Sequence, residues 1–167
     1  MRKFLFFLLL AIAFLPGFSQ QISYVKIQRD SFSVKHPSDW KVDTEDEDYD
    51  PDAMFSIDAP DGENMILFMI FNLKIESDML MEAQIEAMSK QVIKNPEIST
   101  FSSWGNFKGE GKMLQGKILG IYKGAIRIFI YSDESRTMLV MEQFYDKHYD
   151  KLKGVFDTIA SSFSFSK

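Results

Sequence analysis

Cysteine is missing from all 167 residues. Its absence removes disulfides, thiolate zinc sites, iron–sulfur ligation and thiol redox chemistry, and leaves the folded state to its core alone. Histidine is almost missing as well. Only His36 and His148 occur; no G-x-S-x-G elbow accompanies them, and no second metal ligand stands at motif spacing. A basic stripe is absent too. The 19 Lys and Arg are outnumbered by 24 Asp and Glu, for a formal net charge of −5. That balance argues against nucleic acid as a partner and against adsorption to anionic lipid through the overall field. Past the N-terminus, no apolar run approaches the roughly 20 residues that span a bilayer.

What is present begins with a leader. Arg2 and Lys3 precede the apolar run Phe4 to Leu15, Pro16-Gly17 breaks it, and Gly17 and Ser19 are small residues at the −3 and −1 places. The pattern predicts a signal peptide over residues 1–19, with cleavage before Gln20. Residues 20–167 then form a single exported domain, periplasmic or extracellular, with no membrane span left and a charge two units more negative.

Strands dominate the rest. Gln21 to Gln28 and Ser31 to His36 read as a first hairpin, with Phe32 and Val34 on one side, and Trp40 and Val42 restart a strand after Pro37. Met54 to Ala59 places Phe55, Ile57 and Ala59 on one face, and Pro60-Asp61-Gly62 is a turn. Met65 to Phe71 is apolar at both parities, which predicts a strand covered on both faces. Four more strands are expected near Ile98–Phe107, Lys112–Tyr122, Ala125–Ser132 and Thr137–Tyr145. Their turns are placed at Lys108–Gly111, Lys123-Gly124 and Asp133–Arg136. Two segments have helical period. One is capped by Ser77 or Asp78, carries Met81, Ile85, Met88 and Val92, and stops at Asn95-Pro96. The other is capped by Asp146 and carries Leu152, Val155, Phe156, Ile159 and Phe163. Ser164 to Lys167 can add a short edge strand. The order gives α+β: a single, mostly antiparallel sheet flanked by helices.

Phe32, Pro37 and Trp40 form F-x-x-x-x-P-x-x-W on the first hairpin. With a mid-chain helix, a three-strand meander and a last helix ending in Ser162-Phe163, the chain resembles the PsbP-like α/β/α sandwich group. That group includes the thylakoid-lumen photosystem subunit, the DcrB-like exported proteins and a Ran-binding nuclear transport factor. The resemblance implies the sandwich fold and a non-catalytic accessory or protein-binding role. Together with the single exported domain and the missing catalytic constellation, it leads to the expectation of another envelope or secreted protein as partner and of no cofactor.

The acidic block of residues 43–52 is the first chemical candidate. Asp43, Glu45, Asp46, Glu47, Asp48, Asp50 and Asp52 crowd it, and Asp46, Asp48 and Asp50 imitate the start of an EF-hand loop. The imitation stops at Pro51, where Gly is needed, and at Ile57, where Glu is needed. The expectation is a solvated loop that steers a basic partner, or binds Ca²⁺ weakly through those three residues. Gly111 to Lys117 matches G-x-x-x-x-G-K, but Ile118 replaces the hydroxyl residue and strands flank the motif, so it reads as sheet punctuation. His148 is expected to be exposed. The methionines read as core filler rather than a copper site. Trp40, Trp104, Tyr122, Tyr131 and Tyr145 are either ordinary core or the lining of a cleft beside the sheet, which would hold an apolar ligand. No catalytic constellation appears, and a non-enzyme is expected.

Overall fold

The computed structural model describes residues 22–44 and 50–166. The predicted signal peptide, residues 1–19, lies outside the described residues. In chain order the elements are β1 (Tyr24–Gln28), β2 (Phe32–Pro37), β3 (Lys41–Asp43), β4 (Met54–Asp58), β5 (Met65–Phe71), α1 (Ser77–Gln91), β6 (Glu97–Trp104), β7 (Phe107–Ile118), β8 (Tyr122–Ser132), β9 (Thr137–Tyr145), α2 (Asp146–Ser162) and β10 (Ser164–Phe165).

The α+β class holds, but the strands form two sheets rather than one. β3-β4-β5-β9-β8-β7-β6 make a seven-stranded sheet, and β1-β2-β10 a separate three-stranded one. The break falls at Pro37. Proline cannot donate to a continuing ladder, and the Trp40 N–H turns back onto the Pro37 carbonyl at 3.1 Å. The redirected chain delivers β3 to the large sheet. β10 returns from after α2 to pair with β2, Ser164 opposite Ser33 and Phe165 opposite Phe32.

The large sheet separates two cores. Under α2 and the small sheet lies an aromatic one. Phe32 stacks on Phe55 at 5.0 Å, Phe55 on Phe68 at 4.7 Å and Phe68 on Phe163 at 5.5 Å. Trp40 meets Phe156 edge-on at 5.8 Å. On the opposite face α1 covers β7, β8 and β9 with an aliphatic core of Met81, Ile93, Leu114, Ile118, Ile126, Ile128, Ile130 and Leu139. Ile85, Met88 and Val92 are only partly buried there. Neither helix is capped as expected: Glu76 and Tyr145 hold the N-cap positions, without side-chain cap bonds.

Two hairpin turns differ from the sequence reading. The β6–β7 turn is at Gly105-Asn106, and Gly109 and Gly111 lie inside β7. A Cβ at Gly111 would run into the Phe101 ring, and one at Gly105 into the Ala160 carbonyl. Gly111 marks close approach rather than turning, whereas Gly105, at φ 54°, does both. The β7–β8 turn is at Leu119–Ile121, with Lys123 and Gly124 inside β8. Leucine is a poor turn former, so the sequence concealed that turn.

Candidate binding surface

β5 was expected to be covered on both faces. Its even positions are: Ile66, Phe68 and Ile70 are buried. Met65, Leu67, Met69 and Phe71 are half-buried. The reason is the reach of α1. Met69 and Met141 touch the edge of the α1 core, while β4 and the first half of β5 extend past the helix. Cross-strand register sets Ser56 opposite Leu67 and Asp58 opposite Met65. The outcome is an open trough of about 520 Å³ lined by Asp43, Thr44, Met54, Ser56, Met65 and Leu67. The Asp58 carboxylate accepts from the Ser56 hydroxyl at 2.9 Å, and Lys41 lies 3.9 Å from Asp43. An apolar floor with polar margins is what a sheet gives when one parity is Met and Leu and no described element is packed over it.

Asp43, the first acid of the block, lines this trough. Asp46 and Asp48 lie outside the described residues, between Thr44 and Asp50. Asp50 is exposed and shapes a turn: its Oδ1 accepts the Asp52 N–H at 2.9 Å and its carbonyl accepts the N–H groups of Ala53 and Met54. Asp52 pairs with Arg29 at 3.4 Å. Among the described residues no group of three or more His, Asp or Glu could hold a metal ion.

The other candidates scatter. The five aromatics do not share one cleft. Trp40 lines an opening of about 630 Å³ with Pro37, Pro60, Leu152 and Val155, whereas Trp104 is buried under α2. Tyr131 packs edge-on against Phe107, and Tyr122 against Tyr145. Gly111–Lys117 is strand interior. Among the methionines, Met81 and Met138 are core, while Met79 is 64% exposed. His36 is buried on β2, and burial pulls its imidazole below the ordinary range.

His148, expected at the surface, is half-buried. Its Nδ1 lies 3.2 Å from Asp61 Oδ2 and 3.1 Å from Asn64 Nδ2. Burial pushes Asp61 up, but N–H donors from Glu63 and Asn64, with His148 beside it, outweigh that and hold its carboxyl below the usual range.

A buried carboxylate was missed. Glu142 is 2% exposed inside the aromatic core. It accepts from Trp104 Nε1 at 2.7 Å and pairs with Arg127 Nη1 at 2.7 Å. The Arg127 guanidinium also lies over the Phe101 ring at 4.5 Å. Burial pushes the Glu142 carboxyl up, against the pull of Arg127 and the Trp104 N–H. The signal in the sequence was a lone acid in an apolar strand, TMLVMEQFY, with its cation directly across the ladder at Arg127. Together they line a polar niche of about 340 Å³ with Ser103 and Asp157.

With this geometry in hand, solved structures give a match. The chain is similar to the solution structure of cyanobacterial PsbP (CyanoP) from Synechocystis sp. PCC 6803, at 12% identity and a TM-score of 0.52, over 90% of this chain and 97% of that one. The fold is PsbP-like. The crystal structure of LpqN, involved in cell envelope biogenesis of Mycobacterium tuberculosis, is similar at 11% identity and TM-score 0.51, over 89% and 93% of the two chains. A crystal structure from Bacteroides thetaiotaomicron VPI-5482 is similar at 14% identity and TM-score 0.51, over 85% of this chain; the match spans 48% of that one. No family model and no curated protein matches the sequence. Among the described residues, no helix of this PsbP-like chain is long and apolar enough to cross a membrane.

Proposed function

We propose that the chain is an exported, non-catalytic accessory domain of the cell envelope that docks another envelope or secreted protein on the Met54–Met65–Leu67 trough. One observation supports the reading: α1 stops short, and strands β4 and β5 leave an apolar floor with no described residue packed over it. The partner would present a basic, apolar segment. Residues 41–58 hold eight carboxylates and one lysine, a field that steers cations, and methionine side chains adapt to varied apolar partners. LpqN, which shares the fold, is involved in cell envelope biogenesis. The leader predicted over residues 1–19 would place this chain in the same kind of compartment.

The test is affinity capture from an envelope fraction with the wild-type protein and with Leu67→Asp. The variant is expected to melt somewhat lower, because a carboxylate replaces a half-buried strand side chain, yet to stay folded by circular dichroism at the capture temperature and to lose the captured partner. Equal capture by both proteins, or no salt-sensitive partner at all, would overturn the trough as the docking site.

A further inference from the structure

The β7–β8 hairpin ends in an apolar tip. Leu119 is 66% exposed, Ile121 68% and Tyr122 51%. Between them, a Cβ on Gly120 would meet nothing within 4 Å, so the apex stands convex in open space. The Ile121 N–H closes the turn onto the Ile118 carbonyl at 3.1 Å, with Leu119 at φ 52° and Gly120 at φ 75°. That is a type I′ turn, whose first central position favours Asn, Asp or Gly. A leucine there is strained, and its side chain gains nothing from the core. The turn is nonetheless anchored: Leu119 N–H donates to the Val92 carbonyl at 2.8 Å, and Ile93 bridges Ile118.

Lysines stand just behind the apex. Lys117 and Lys123 face each other across the hairpin, and Lys94 is exposed beside the Ile93–Ile118 bridge. Glu97, opposite Gln115, sits two residues farther down. Tyr122 is held edge-on against Tyr145 at 5.8 Å, with the Lys147 ammonium 5.8 Å from its ring.

We propose that this tip is a membrane-contacting element that inserts Leu119 and Ile121 into the surface of an anionic bilayer. A convex aliphatic apex suits a fluid medium that closes around it. The lysines behind it lie where headgroup phosphates would be, and Tyr122 suits the interface between. The overall charge of −5 opposes adsorption by any other face, so the contact is confined to this end. The inference is independent of the trough on β4 and β5, and its test needs only purified protein and lipid.

The experiment is co-sedimentation with phosphatidylglycerol-containing and with pure phosphatidylcholine vesicles. Wild type is expected to bind the anionic vesicles. The Leu119→Asn/Ile121→Ser variant is expected to lose binding by roughly tenfold or more. Asn suits the turn better than Leu, so that variant should melt no lower than wild type, which separates lost contact from lost fold. Lys117→Gln and Lys123→Gln should each weaken binding about fivefold and flatten its salt dependence. A tryptophan at position 121, made as Ile121→Trp, should shift its emission to the blue on anionic vesicles. The proposal fails if wild type ignores the vesicles, if the apex variant binds as well, or if neutral vesicles bind equally. It also fails if the apex instead drives lipid-free self-association that the variant abolishes, which would mark a copy-to-copy contact.

Discussion

The two faces of the seven-stranded sheet solve the same problem with different side chains. The α2 face is sealed with rings: Phe32, Phe55, Phe68 and Phe163 form a continuous stack, with Trp104 edge-on to Phe68 at 5.8 Å. The α1 face is sealed with isoleucine, leucine and methionine, and only over β7 to β9. Flat rings fill a wide gap in a few fixed arrangements and fasten helix, small sheet and large sheet together. Flexible aliphatics under a short, half-exposed helix do less. The aromatic side is therefore expected to carry more of the stability, and the aliphatic side leaves Met65 and Leu67 half-buried at its margin.

The largest way to break this contrast is Phe68→Ala, which removes the centre of the stack. A loss of about 3–5 kcal/mol is expected, measured by urea unfolding. Glu142→Ala comes next. It leaves the Trp104 N–H and the Arg127 guanidinium without their acceptor; because Arg127 keeps some solvent access, about 2–3 kcal/mol is expected. Met81→Ala, the matching change on the aliphatic face, should cost about 2 kcal/mol. If it costs more than Phe68→Ala, the two faces have been ranked the wrong way round.

The acids sharpen the same contrast through pH. Glu142 titrates higher folded than unfolded, so its contribution is complete below the ordinary carboxylate range and is lost as pH rises through the raised value. Glu142→Gln should flatten that decline. Asp133, in the exposed β8–β9 turn, behaves oppositely. N–H and O–H donors from Ser135 hold it down to about 2, so its contribution is present above pH 4 and lost as pH falls toward 2. Asp133→Ala should shrink that acid limb in urea titrations. The smallest effect is expected from calcium. Titration calorimetry should show heat only near millimolar concentration, and none after Asp46, Asp48 and Asp50 are all replaced by Asn.

Much of this was legible. The inward parity of Phe32, Val34, Phe55 and Ile57, the α2 stripe and the helix positions follow from period alone, and F-x-x-x-x-P-x-x-W led to the right fold. The failures have local causes. Pro37 was read as ending a strand, when it also ended the sheet; sequence alone does not say which ladder the next strand joins. Gly109, Gly111 and Gly124 were read as turns because glycine signals both turning and close approach. The true β7–β8 turn uses Leu119, and no propensity argument would place it there. The trough was hidden because an apolar run looks the same whether a helix covers all of it or half.

The small sheet has a temporal consequence. The hydroxyls of Ser33 and Ser164 meet at 3.2 Å across a separation of 131 residues. A chain emerging from its N-terminus exposes one edge of β2 through nearly all of its synthesis. Loop closure of that length makes docking of β10 a late step. Phe163, which follows α2, stacks on Phe32 at 5.6 Å, so the same late step completes that contact. Pairing of β10 with β2 thus acts as a latch that ties Phe32 and Ser33 to Phe165 and Ser164.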